Sequence, residues 1–207
     1  MAKNEIMLKI ITLGDSGVGK TSIIRRFAND VFDENSLSTV GVGFAFKEFT
    51  LKNKKKIKLK LIDTAGQEKF KSLAKTYFKN ADGVLFVYSF EIKDSFNNLK
   101  DWIESFNSIH SGKDYIPMML VGNKSDLEEK DEVEKNTKLV GDFLKEFNGL
   151  KYFKTSAKDN ISINELFSDL AEQMYENFGK TGEKGHHSVQ LSDTKKKNQC
   201  CKVYRDT

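Results

Sequence analysis

Cysteine is almost missing from this chain: only Cys200 and Cys201 occur, adjacent and near the C-terminus. Neighbouring cysteines cannot staple a fold, and two thiols alone make no zinc site. The chain before them needs no oxidising compartment, so a cytosolic setting is the simplest reading. Long apolar runs are missing too, since none approaches the ~18 residues of a membrane span. Met1-Ala2-Lys3-Asn4-Glu5 leads straight into a strand-like pattern, which predicts no signal peptide. Ala2 in place of Gly argues against N-myristoylation. Proline occurs once, at Pro117. Finally, the body lacks net charge. The formal total is +4, and residues from Gly179 onward carry seven Lys/Arg against three Asp/Glu, which accounts for all of it. A neutral body offers no electrostatic footprint for nucleic acid.

What is there suits one α/β domain followed by a tail: 207 residues, 38% hydrophobic and 31% charged. Leu8 to Leu13 reads as a strand, and Lys20 to about Asn29 as a helix with Ile23, Ile24 and Phe27 on its apolar face. Residues 30–41 have no period and read as a loop. Phe44 to Leu51 alternates, Asn53-Lys54-Lys55 is turn-like, and Ile57, Leu59 and Leu61 alternate in a partner strand. Val84 to Tyr88 and Met118 to Val121 are continuous apolar runs, as in strands covered on both faces. Pro117 stands at a strand start, where a missing N–H is tolerated. Helices are expected over Asp94–Ile109, Val133–Phe147 and Ile163–Phe178. The pattern predicts about six mostly parallel strands with helices on both faces. Residues 1–178 form the domain in this reading, and 179–207 a flexible basic tail.

Gly14-Asp15-Ser16-Gly17-Val18-Gly19-Lys20-Thr21 matches the P-loop pattern in full, with a strand before it and a helix, opening at Lys20-Thr21-Ser22, after it. Its glycines let backbone N–H groups wrap phosphate oxygens, and the helix N-terminus adds its dipole. Lys20 would neutralise β- and γ-phosphate charge, and the Thr21 hydroxyl would ligate Mg²⁺. Asp63-Thr64-Ala65-Gly66-Gln67 follows the second hairpin strand. Asp63 can hold a magnesium water, the Gly66 N–H can approach the γ-phosphate, and Gln67 can orient the attacking water. Thr39, in the aperiodic loop, could complete the magnesium shell.

Asn123-Lys124-Ser125-Asp126 follows a strand at the carboxyl end of the sheet. The Asp126 carboxylate can accept from guanine's N1–H and 2-amino group, whereas adenine would leave it unpaired. Asn123 can pair with the base edge and tie back to the phosphate loop, and the Lys124 stem can cover the ring. Thr155-Ser156-Ala157-Lys158 would direct the Ala157 N–H to the guanine O6, with Phe32 at the base edge.

With these motifs in order, the sequence resembles the Ras superfamily of small GTPases over about residues 6–178. Within it the Rab branch fits best, through Ser38-Thr39-Val40-Gly41-Val42-Gly43-Phe44, Lys69-Phe70-Lys71-Ser72-Leu73, Tyr77-Phe78-Lys79-Asn80-Ala81 and Ser95-Phe96-Asn97-Asn98-Leu99. The resemblance implies a small G-domain, a Mg²⁺-dependent GTP/GDP switch that hydrolyses GTP, and effectors of vesicle trafficking bound in the GTP form. It implies exchange factors, GTPase-activating proteins, a solubilising chaperone, a monomer, and cycling between cytosol and the cytosolic face of endomembranes. Effectors would meet a surface patch of Phe44, Ile62 and Tyr77. Ile62 stands where that branch usually has tryptophan, and Gly43 where an acidic residue is usual. Cys200 and Cys201, after Lys195-Lys196-Lys197, imply dual prenylation with basic support for anionic lipid, although Lys202 to Thr207 follow them and no CaaX ending is present. Two alternatives stand beside this reading: a GTP-binding trafficking adaptor with negligible hydrolysis, and a signalling GTPase of another branch.

Overall fold

The computed structural model describes residues 6–66, 71–110 and 115–181, without the side chains of 71–74, 180 and 181. Gln67, Cys200 and Cys201 lie outside the described residues, as do most of the expected tail and Lys69-Phe70 of the second family segment.

Strand β1 (Met7–Leu13) divides its apolar side chains between two cores, Leu8 and Ile10 entering one and Ile11 and Leu13 the other. This is the period-2 projection of a strand covered on both faces. Helices α1 (Lys20–Asn29) and α6 (Ile163–Thr181) close the first face. There Phe27 and Phe167 stack with ring centroids 3.8 Å apart. Side chains of this size contribute roughly 1.5–3 kcal/mol each when fully buried. Helices α4 (Leu99–Asn107) and α5 (Val133–Glu146) close the other face through Trp102, Phe106, Val140 and Phe143.

Strands β2 (Val42–Thr50), β3 (Lys56–Thr64), β4 (Gly83–Ser89), β5 (Met118–Asn123) and β6 (Leu150–Lys154) complete a six-stranded sheet ordered β2-β3-β1-β4-β5-β6. Only β2 is antiparallel to its neighbour. The expected α/β architecture, one hairpin included, is the one observed. From β1 the chain builds β2 and β3 on one side and β4 to β6 on the other, so the order reverses beside β1. Ligand crevices in open α/β sheets form at the strand carboxyl ends beside such a reversal.

Three differences from the sequence reading matter. The helix expected over Asp94–Ile109 is two helices, α3 (Asp94–Asn97) and α4, separated at Asn98 with ψ −7°. The Asn98 amide donates to Asp15 Oδ2 at 2.7 Å, a tertiary bond that helical periodicity cannot announce. Helix α2 (Lys71–Phe78) has no counterpart among the expected helices, because eight residues give the periodicity too little length. Helix α6 runs to Thr181, past the expected end at Phe178.

Candidate functional site

Between Leu13 and Lys20 the chain wraps from β1 into α1, whose N-terminus has no side-chain cap. Its first N–H groups are therefore left for a ligand. Gly19 has φ +95°, and a Cβ there would lie 2.3 Å from Asn123 Nδ2, so only glycine lets the loop touch β5. That amide donates to the Val18 carbonyl at 2.9 Å and locks the two segments together. Lys20 is buried, its Nζ donating to the carbonyls of Gly14 (2.9 Å) and Asp15 (2.7 Å). Burial lowers its pKa to about 8, against the opposing pull of the Asp63 and Asp15 carboxylates. A polyanion seated on Lys20 would restore the full charge.

Below the loop, three side chains from separate segments meet. Thr21 donates to Asp63 Oδ2 at 2.7 Å, and the Thr21 and Thr39 hydroxyls are 2.6 Å apart. Oδ1 of Asp63 is buried and meets no donor. Burial raises the Asp63 pKa, and the Thr21 hydrogen bond and the Lys20 charge oppose it. Two hydroxyls and a carboxylate with an oxygen to spare are hard donors, the set Mg²⁺ prefers. The residues fit that ion.

Gly66 lies flat against the phosphate loop, where a Cβ would stand 2.2 Å from the Asp15 carbonyl carbon and 2.3 Å from the Ser16 nitrogen. The preceding Ala65 N–H donates to the Gly41 carbonyl at 2.9 Å, so the exit of β3 and the entry to β2 are joined.

The base end is built on Asn123 and Asp126. Asn123 is buried, its Oδ1 accepting from the Thr155 hydroxyl and the Ala157 N–H, both at 3.3 Å. The second is a long bond, which a base oxygen would compete for. Ser156 donates to Asp126 Oδ1 at 2.6 Å and aims the carboxylate. Lys124 holds φ +60° and pairs with Glu91 at the rim. One cleft of about 470 Å³ joins both ends, a size suited to a nucleotide. Ser16, Gly17, Gly19, Lys20, Thr21, Ser22, Phe32, Thr39, Gly66, Asn123, Lys124, Asp126, Ala157 and Lys158 line it. Asp15, Val18, Asp63 and Ser156 stand behind that wall and hold its parts in place.

A sequence model of the Ras family matches residues 9–176. The chain belongs to the Ras family. Among similar proteins, Ras-related protein Rab-8B of Dictyostelium discoideum is 34% identical over 97% of this chain and 96% of its own length. Ras-related protein Rab-8 of Diplobatis ommata is 39% identical over 84% of this chain and 80% of its own. GTP-binding protein ypt1 of Schizosaccharomyces pombe is 36% identical over 84% and 83%. Within the family, these relatives place the chain in the Rab branch.

Three residues of this Rab-branch protein escape sequence reasoning. The Trp102 indole donates to Asp15 Oδ1 at 2.9 Å while Asn98, just before α4, donates to Oδ2, so the two clamp the phosphate loop from behind. Arg26 donates from Nε to the Ala157 carbonyl at 2.9 Å and from Nη2 to that of Lys158 at 3.1 Å, fixing the base loop to α1. No local signal marks them, since Trp102 reads as helix core and Arg26 as a solvated helix face. Trp102→Phe keeps the apolar burial but removes a bond to a carboxylate, and is expected to cost roughly 1.5–3 kcal/mol. Urea unfolding measures it, and a double-mutant cycle with Asp15→Ala should show the two losses to be non-additive.

One expectation needs correction. Ile62 is 3% exposed and joins the core with Phe78 and Trp102, so it is not part of a surface patch. Its aliphatic side chain ends beneath the surface, where an aromatic ring would reach further. Phe44, 48% exposed, meets the Tyr77 ring edge-on at 5.6 Å, so of the three expected residues this pair, without Ile62, stays at the surface.

Proposed function

We propose that this Rab-like small GTPase is a Mg²⁺-dependent GTP/GDP switch acting in membrane trafficking, with effectors read through its nucleotide-sensing loops. One observation carries the reading. Thr21 on α1, Thr39 in the loop before β2 and Asp63 on β3 converge at the end of a cleft whose other end holds Asp126.

The backbone from Asp15 to Thr21 would cradle the phosphates, with Lys20 against the β- and γ-phosphates and Ser22 beside the α-phosphate. Thr21, Thr39 and Asp63 would hold Mg²⁺, which when bound neutralises charge on the phosphate oxygens. The Gly66 N–H would meet the γ-phosphate, and Gln67 would orient the attacking water. At the other end, Asp126 accepts from N1–H and the 2-amino group, Ala157 donates to O6, and Lys124 and Phe32 flank the base. Residues 1–178 act as the G-domain, and 179–207 as a tail lipidated at Cys200 and Cys201 and solubilised by a chaperone. The protein works as a monomer that cycles between cytosol and membrane. Among the described residues no helix is long and apolar enough to cross a bilayer.

Hydrogen exchange on the two loaded forms tests the switch. Amides of residues 33–44 should be protected with a non-hydrolysable GTP analogue and exposed with GDP, because the γ-phosphate holds Thr39 and Gly66 and its loss releases them. Identical protection in both states would leave a GTP-binding protein that does not switch. Gly66→Ala should keep GDP binding and lose the analogue-induced protection, since its methyl cannot fit against Asp15.

A further inference from the structure

Residues 51–60 hold six lysines and no acid. They make the tip and return strand of the β2–β3 hairpin, and the turn does not need their charge. Leu51 and Lys55 close it through their backbones at 2.9 Å, Asn53 Oδ1 accepts from the Lys55 N–H at 3.0 Å, and buried Leu51 and Ile57 anchor it. Among the described residues none of these six lysines is in an ion pair. On the outward face, Lys60 lies 4.6 Å over the Phe44 ring and Lys58 5.8 Å over that of Phe46. Glu48, opposite Lys58, is the one acid on this face.

The position of this charge points to its partner. The Lys52 N–H donates to Glu172 at 2.6 Å, and Lys55 stands 5.1 Å from the Tyr175 ring, so the tip sits on the C-terminal half of α6. From α6 the chain continues into the segment that carries Lys195-Lys196-Lys197 and the cysteine pair. β2 enters the hairpin beside the nucleotide site, with Val42 opposite Thr64, and reaches the tip after Thr50, roughly 25 Å away at strand rise. A surface against the tip would leave the nucleotide cleft and Thr39 facing away from it, open to soluble partners.

We propose that Lys52, Lys54, Lys55 and Lys56 form a docking face for anionic lipid headgroups, orienting the domain on a bilayer alongside its tail. A bilayer is favoured over a soluble acidic protein because the tail leaves from the same end and would hold this face at high effective concentration against any membrane it reaches. The proposal rests on the membrane reading of the tail only for that tethering.

The test uses the full chain without lipid, so cysteine modification does not enter. Sedimentation is run with phosphatidylcholine vesicles, and with vesicles also containing phosphatidylserine. The parent should bind only the anionic vesicles, less so as salt rises. Lys52→Gln/Lys54→Gln/Lys55→Gln/Lys56→Gln should weaken that binding at least about ten-fold, each basic residue near an anionic leaflet being worth about five-fold. GDP affinity should stay unchanged and reports the fold. Loss of binding only on Lys195→Gln/Lys196→Gln/Lys197→Gln, with the hairpin variant binding as the parent does, would overturn the proposal. Capture of soluble polyglutamate through the hairpin lysines, with neither vesicle type bound, would also overturn it and identify an acidic protein partner.

Discussion

Gln67→Leu is expected to keep GTP affinity and abolish the acceleration of hydrolysis that an activating protein supplies, about 10³–10⁵-fold in phosphoryl transfer of this kind. The chain itself offers little help to the transition state. Its only arginines are Arg25, Arg26 and Arg205. Arg26 is committed to the Ala157 and Lys158 carbonyls and to Asp30, and neither Arg25 nor Arg26 lines the cleft. Intrinsic turnover should therefore be very slow, and an activating partner is expected to bring an arginine. That arginine works only on a water already aimed at phosphorus, which an amide can do and an isobutyl group cannot. Single-turnover phosphate release, with and without an activating domain that acts on Rab-branch relatives, measures both rates. Full acceleration of Gln67→Leu would show that another group orients the water.

The second large effect concerns the base. In Asp126→Asn the carboxylate proposed to accept two hydrogen bonds from guanine becomes an amide, with one acceptor oxygen and one donor nitrogen. A hydrogen bond to a charged group is worth roughly 1.5–3 kcal/mol, so GDP affinity should fall about ten- to a hundred-fold or more. Xanthine carries an oxygen where guanine carries its 2-amino group, so the new N–H has a partner there and XDP affinity should rise. Ser156 donates to the same carboxylate at 2.6 Å, so Ser156→Ala should weaken GDP binding by less and leave the preference for guanine intact. Competition among GDP, XDP and ATP decides it. ATP binding the parent as well as GDP would remove Asp126 from the base site.

Much of the candidate site was legible because its donors are local. The phosphate loop is one contiguous run, so glycine spacing, Lys20 and Thr21 report a single backbone conformation without reference to anything distant. Asp63 to Gly66 and Asn123 to Asp126 are likewise short runs at strand ends, and the strands declare themselves through buried apolar stretches. The structure joins Thr21 to both Thr39 and Asp63 through hydrogen bonds. Thr39 was the least legible, a lone hydroxyl in an aperiodic loop, identified through its company rather than its own signal.

By itself, then, the sequence determined the motifs from which the proposed phosphate, base and cation chemistry is read, and the alternation of strand and helix that holds them. Only the tertiary structure decided what supports that chemistry. Trp102 and Asn98 meet Asp15 across 87 and 83 residues, and Arg26 meets Ala157 across 131. Ile62 went into the core rather than onto the surface, and the lysine-rich hairpin tip came to rest on α6. Contacts between segments so far apart depend on how the sheet orders its strands and how the helices settle on it. A side chain's neighbours along the chain carry no record of that, whereas a motif carries its partners within a few residues.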